Sequence, residues 1–291
     1  VPVQSDTVLN FLDIKDLTYE ARLYELRDQN GTTPSRIAPN WFGVAIPNPK
    51  NFDISSDVYV VLYFHPTPNQ AGYRDSDYFN PDKNPSAGRD WKDIFAHADR
   101  FGGQMAGAIQ QHNAPANRLT IFPFLTEAQY TLPTSEWFNV IHDILQDINT
   151  NVVPGICTRP KKIIVATLSN GGKYLNRFLT EASGHPNYND IIEVWDFDSA
   201  FSQGPIFVDP HGKRLRAYWQ AQVPQSTQNA TYIHLPARSW GSFPNPTPSE
   251  VPPLPGDPGD VTTRNTGNYY HHLIRDTMFL DADWNIENDN P

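Results

Sequence analysis

A chain of 291 residues with a 38% hydrophobic fraction, 16 Phe, 13 Tyr and 7 Trp can bury one large core without needing a second full domain. Its net charge of -10, with 22 basic residues, argues against a nucleic-acid partner, which needs a cationic face to displace counterions. The single cysteine, Cys157, excludes an internal disulfide framework and a multi-cysteine zinc site, and no apolar run reaches the roughly eighteen residues of a membrane-spanning helix.

In chain order, the N-terminal part, residues 1–40, reads as strands. Polar and apolar residues alternate over Leu9 to Ile14 and again over Thr18 to Leu26, a turn falls at Asn30-Gly31, and Trp41 to Ile46 reads as a strand closed by Pro47. Val58 to Phe64 is an unbroken apolar run, rich in β-branched and aromatic residues, as expected of a strand covered on both faces. A proline-punctuated polar stretch runs from His65 to Arg89. Asp90 then caps an expected helix from Trp91 to about His112, with Ile94, Phe95, Ala98 and Phe101 on one side.

Leu119 to Phe124 reads as a short buried strand. Thr134 or Ser135 is the expected cap of a helix whose apolar positions Trp137, Phe138, Ile141, Ile144, Leu145 and Ile148 follow a 3.6-residue period. Lys162 to Thr167 is a strand, Gly172 to Ala182 a helix and Ile191 to Phe197 a strand. Arg214 to Trp219 and Thr231 to Leu235 are two more. Strands separated by helices of this length pair in parallel, so the fold class is α/β. The proline-rich segment 236–265 reads as a long loop, and Tyr269 to about Leu280 as a closing helix.

The tripeptide Ser-x-Gly occurs at Ser86, Ser169, Ser202 and Ser239. A nucleophilic serine needs more than the tripeptide: a tight turn between a buried strand and a helix, which projects the hydroxyl from the sheet edge toward the positive helix end. Ser86 lies in a proline-rich loop, Ser202 is followed by Gly204-Pro205, and Ser239 is followed by Pro244, Pro246 and Pro248, which forbid a helix. Ser169 alone has both neighbours, KKIIVAT before it and NGGKYLNRFLTEA after it, with Gly171 and Gly172 to relieve crowding at the turn.

On these residues the chain resembles the α/β-hydrolase family, whose G-x-S-x-G elbow carries the nucleophile. Here the elbow reads Thr167-Leu168-Ser169-Asn170-Gly171, with Thr replacing the first glycine. The resemblance covers roughly Trp41 to Leu280. It implies a single α/β-hydrolase-like domain over 1–291: a mostly parallel sheet flanked by helices, with an N-terminal antiparallel strand extension. The loops 65–90 and 236–265 would lie over the site.

The resemblance also implies a triad. Ser169 would be the nucleophile and His271 or His272, with His271 preferred, the base. Asp198 would be the acid, at the strand end Trp195-Asp196-Phe197-Asp198; Asp196 and Asp209 stand as alternatives. The oxyanion donors would be the backbone N–H of Asn170 and that of His65 or Thr67, because Pro66 between them has none. Tyr73, Tyr78, Phe79, Trp240 and Phe243 sit on the loops and either line an acyl cleft or anchor those loops.

The implied activity is serine ester hydrolysis of esterase or lipase type, on a small-molecule, lipid or polymeric ester, with no cofactor and no metal. A peptidase or acyltransferase using the same residues, or a catalytically silent binding protein, are the rival readings. The sequence does not speak to oligomeric state. A start at Val1, high proline, few Lys and Arg, and the acceptor triplets Asn30-Gly31-Thr32 and Asn229-Ala230-Thr231 lean toward a secreted or periplasmic enzyme.

Overall fold

The computed structural model describes residues 3–9, 19–26, 39, 41–47, 52–64, 117–123, 132–168, 171–199, 206–219, 230–234 and 282. Nine strands form one sheet: β1 (Val3–Leu9), β2 (Tyr19–Leu26), β3 (Trp41–Pro47), β4 (Tyr59–Phe64), β5 (Arg118–Pro123), β6 (Lys162–Leu168), β7 (Ile191–Phe197), β8 (Arg214–Trp219) and β9 (Ala230–His234). Their spatial order is β1-β2-β3-β5-β4-β6-β7-β8-β9. β1, β2 and β3 pair antiparallel, β3 joins β5 antiparallel, and every pairing from β5 through β4 to β9 is parallel. The result is the expected mostly parallel α/β sheet with an antiparallel N-terminal extension.

One strand differs from expectation. The first was expected over Leu9 to Ile14, whereas β1 is Val3–Leu9, and residues 10–14 lie outside the described residues. β1 lies at the end of the strand order and its register is set by β2, from Val3 opposite Leu26 to Leu9 opposite Ala21, with an irregularity between Ser5 and Thr7. Such a strand is specified by its partner more than by its own alternation.

Among the described residues, two α-helices, α1 (Thr134–Asn151) and α2 (Gly172–Ala182), cover one face of the sheet. The six apolar positions expected on α1 are all buried. Phe64, Trp137 and Phe178 form a three-way aromatic cluster with centroids 5.5–5.6 Å apart, and Phe42 meets Trp137 edge-on at 5.6 Å. The cluster ties the end of β4 to both helices through large side chains. A polar tie is added where Tyr24 Oη donates to Asp147 Oδ2 at 2.8 Å and Arg22 Nη1 reaches the same oxygen at 3.1 Å.

The cap of α1 also departs from expectation. Pro133 occupies the N-cap with φ -59, and Thr134 is the first helical residue. The Thr134 hydroxyl donates instead to Glu181 Oε2 at 2.7 Å, linking α1 to the end of α2. A tertiary partner has displaced the local cap.

The opposite face is buried too: Tyr63, Phe122, Ala166, Leu168, Trp195, Phe197 and Tyr218 are each at most 1% exposed. Apolar on both sides, the central strands have the near-continuous hydrophobic sequences of a doubly covered parallel sheet. On this second face Glu193 lies buried with its Oε1 2.6 Å from Arg216 Nε and 3.5 Å from Arg214 Nε. Burial raises the Glu193 pKa, opposed by Arg216.

Candidate active site

The carboxyl ends of β4 and of β6 to β9 all lie at one edge of the sheet. β6 ends at Leu168 and α2 begins at Gly172, so the strand and the helix expected around the Ser169 turn are both present. Ser169 and Asn170 themselves lie outside the described residues, as do His65, Thr67, His271 and His272. So do Ser86, Ser202, Ser239, the loops 65–90 and 236–265, and the helices expected at Trp91 to His112 and after Tyr269.

Thr167, which stands in place of the first elbow glycine, continues the strand. It is fully buried, it pairs with Phe64 on one side and Asp196 on the other, and its hydroxyl donates to the Phe64 carbonyl at 3.2 Å. The β-branched side chain therefore fits a regular strand, and its one polar group is satisfied.

Of the two glycines after the turn, Gly172 meets a packing demand. A Cβ there would lie 3.0 Å from both Ser199 Cβ and Ile206 Cγ2. Gly171 has φ -58 and ψ -25, a conformation open to any residue, so the expectation that it relieves backbone crowding is not needed to explain its geometry.

One strand over, β7 ends at Phe197, the register partner of Leu168. Asp198 follows at once. It is 1% exposed, its φ is +60, and its N–H donates to the Tyr218 carbonyl on β8 at 2.8 Å. Asp tolerates the left-handed region better than most residues, yet a buried one held there at a strand end is a local strain that the surroundings must maintain.

Asp196 lies one turn of the pleat earlier and is 3% exposed. Its Oδ1 accepts the Ser199 N–H at 2.9 Å, and its Oδ2 is 2.7 Å from Ser199 Oγ. Burial pushes its carboxyl up to about 7, against the lowering effect of the two Ser199 contacts and with a further rise from the Asp198 charge. Asp209 is different. It precedes β8, its side chain is 66% exposed, and its N–H donates to Asn176 Oδ1 on the flank of α2, so it does not share the carboxyl edge.

The described histidines after Ser169 sort by strand end. His185 precedes β7, stacks on Phe138 with centroids 4.7 Å apart and accepts the Asn187 N–H. His211 precedes β8, with Nε2 3.0 Å from Thr180 Oγ1. Both belong to the amino edge. His234 closes β9 at the carboxyl edge as the register partner of Trp219, but three strand spacings, about 14 Å, separate β9 from β6.

Among the described residues, no helix is long and apolar enough to cross a membrane. No protein-family model matches the chain, and no curated protein matches it. Among solved structures, the chain is similar to the carboxylesterase Cest-2923 from Lactobacillus plantarum WCFS1, at 12% identity and a TM-score of 0.39 over 99% of this chain and 98% of that one. The rice cell wall degrading esterase LipA from Xanthomonas oryzae is similar at 10% identity and a TM-score of 0.31, over 62% of this chain. The match spans 41% of the length of LipA. Thermogutta terrifontis esterase 2 matches at 8% identity and a TM-score of 0.28, over 80% of this chain and 83% of that one. The strand order and flanking helices described above define the class: an α/β protein with a mostly parallel sheet.

Proposed function

We propose that the protein is a serine hydrolase of α/β-hydrolase type acting on carboxylic esters, with Ser169 as nucleophile. The observation that carries this reading is the register of β6 and β7: Leu168 pairs with Phe197, and the next residues in the chain are Ser169 and Asp198. A serine and a buried aspartate thus follow the ends of adjacent parallel strands, where sites of open α/β sheets lie. On the other side of β6, Phe64, the residue before His65 in the chain, ends β4 as the partner of Thr167, on the flank of β6 opposite β7.

In this reading the Ser169 hydroxyl attacks the ester carbonyl while His271 or His272 removes its proton. The backbone N–H of Asn170, with that of His65 or Thr67, stabilises the tetrahedral oxyanion, a contribution worth about 2.7–4 kcal/mol for one donor. The imidazolium then protonates the departing alkoxide, and the same histidine activates the water that hydrolyses the acyl-enzyme. Asp198 orients the imidazole and stabilises its charged form. The reaction needs no cofactor. A single domain over 1–291, acting outside the cytoplasm on a small, lipid or polymeric ester, completes the reading.

Intact mass after incubation with a fluorophosphonate tests it. One adduct on the wild type, absent from Ser169→Ala, is the expected result. An unlabelled, folded wild type that also leaves an ester panel uncleaved would overturn the proposal and favour a silent binding protein.

A further inference from the structure

The strand end Trp195-Asp196-Phe197-Asp198 places two buried carboxyl groups two residues apart, and the reading above uses only Asp198. Asp196 has a different set of partners. Ser199 Oγ lies 2.7 Å from Asp196 Oδ2 and 2.8 Å from the Ile206 carbonyl oxygen. A hydroxyl carries one proton, and a carbonyl can only accept. With the serine proton directed to Ile206, the short oxygen–oxygen approach to Asp196 needs a proton of its own, which the carboxyl group alone can supply.

From this proton count we infer that Asp196 is held as a neutral carboxylic acid, donating to Ser199 Oγ, and acts as a positioning residue for the turn that carries Asp198. The relay runs from the Asp196 carboxyl to the Ser199 hydroxyl to the Ile206 carbonyl, while the Ser199 N–H returns to Asp196 Oδ1 at 2.9 Å and the Ile206 N–H donates to the Ser199 carbonyl at 3.3 Å. Residues 196, 199 and 206 are thereby clamped around Asp198, whose φ of +60 requires such support. The clamp also rests on the elbow helix, since Ser199 and Ile206 both lie 3.0 Å from where a Cβ on Gly172 would stand.

The surroundings of Asp196 favour the neutral form. In register beside it stand Thr167 on β6 and Ala217 on β8, neither of them titratable. Among the described residues the charge acting on it is that of Asp198, which repels a second anion. Full burial works in the same direction. A proton on Asp196 leaves Asp198 as the single anion at this strand end, the condition under which it can stabilise an imidazolium.

The role in positioning rests on the hydrolase reading; the protonation does not. The experiment compares wild type, D196N, D196A and D198N as full chains, by denaturant unfolding at about pH 5 and about pH 8, by the infrared carbonyl band of protonated carboxyl groups, and by ester hydrolysis. Asn reproduces the neutral acid, with an amide N–H for the relay and a carbonyl for the Ser199 N–H. The expected result is a protonated-carboxyl band at the lower pH in wild type that D196N lacks, and a wild-type stability that falls relative to D196N at the higher pH. D196N should also restore the kcat that D196A loses, to within about threefold of wild type. A wild type that matches D196N in band and pH response, or a D196N kcat as low as that of D198N, would overturn the inference. If no ester is cleaved, the hydrolase reading falls, and the band and the pH response alone decide the protonation.

Discussion

Leu168 and Phe197 are the last register pair of the β6–β7 ladder, so these two strands leave the sheet side by side at one edge. Adjacent strands are about 4.8 Å apart, close enough for residues just beyond the two ends to share one imidazole between them. Asp209 and His211 lie farther along α2, against Asn176 and Thr180, and the Asp209 side chain is 66% exposed.

Replacing Asp198 tests this edge directly. Asn tolerates a left-handed φ almost as well as Asp, so D198N should fold while losing the charge. The expected fall in kcat is about 10⁴, the cost of a triad carboxylate made neutral. D209N should leave kcat within about twofold, since its side chain is exposed and away from the edge. Steady-state hydrolysis of an activated ester measures both.

Gly172→Ala sets helix propensity against packing. Alanine favours a helix over glycine by about 1 kcal/mol, which by itself predicts stabilisation. At Gly172 the added methyl meets Ser199 and Ile206 at 3.0 Å, and overpacking of this kind costs about 1–3 kcal/mol. Urea unfolding should show G172A destabilised. The Asp198 turn should also be disturbed in G172A, and kcat should fall with stability.

Asp196 sets the direction of one pH effect. Its carboxyl rises from 3.8 to about 7 on folding. Between those values the folded chain keeps a proton that the unfolded chain has released, so stability falls as pH rises. The favourable state is fully present below the lower value and is lost as pH passes through the upper one. Denaturation midpoints of wild type minus those of D196N, followed across this window, should decline and then level off.

Thr167→Val and Ser199→Ala separate a local hydrogen bond from a network. Val at 167 removes one donor to the Phe64 carbonyl and should cost about 1 kcal/mol with little change in kcat. Ala at 199 leaves Asp196 and the Ile206 carbonyl without their shared partner and should cost about 1–3 kcal/mol, with a loss of kcat. Thermal unfolding alongside ester hydrolysis reads both.

Much of the central sheet was legible because buried apolar runs bounded by turn residues have few alternative readings. The spans expected for α2, β7 and β8 coincide with those observed. The edge strand β1 was missed because its sequence, VQSDTVL, alternates poorly and its position depends on β2. Thr134 looked like a cap because Ser and Thr cap helices locally, and nothing nearby in sequence shows that Glu181 takes its hydroxyl. The Trp-Asp-Phe-Asp pattern displays two carboxyl groups and favours Asp198 by its place at the strand end, but does not show what surrounds either. Only the fold, which brings Ser199 and Ile206 against one and turns the backbone at the other, gives them different surroundings. Asp209 stood as an alternative through the family resemblance; that its N–H donates to Asn176 and that its side chain is 66% exposed are facts of the fold.

β4 lies between β5 and β6, yet Phe64 and its partner Thr167 are separated by a hundred residues of chain. During synthesis the N-terminal strands, and β4 itself, emerge long before β6 exists. Closing so long a loop must precede the contacts that reward it, which makes such sheets slow to form. A nascent chain arrested before residue 162 holds the apolar run of β4 with one of its two neighbours missing. In that interval it would be open to a chaperone or to a second nascent chain.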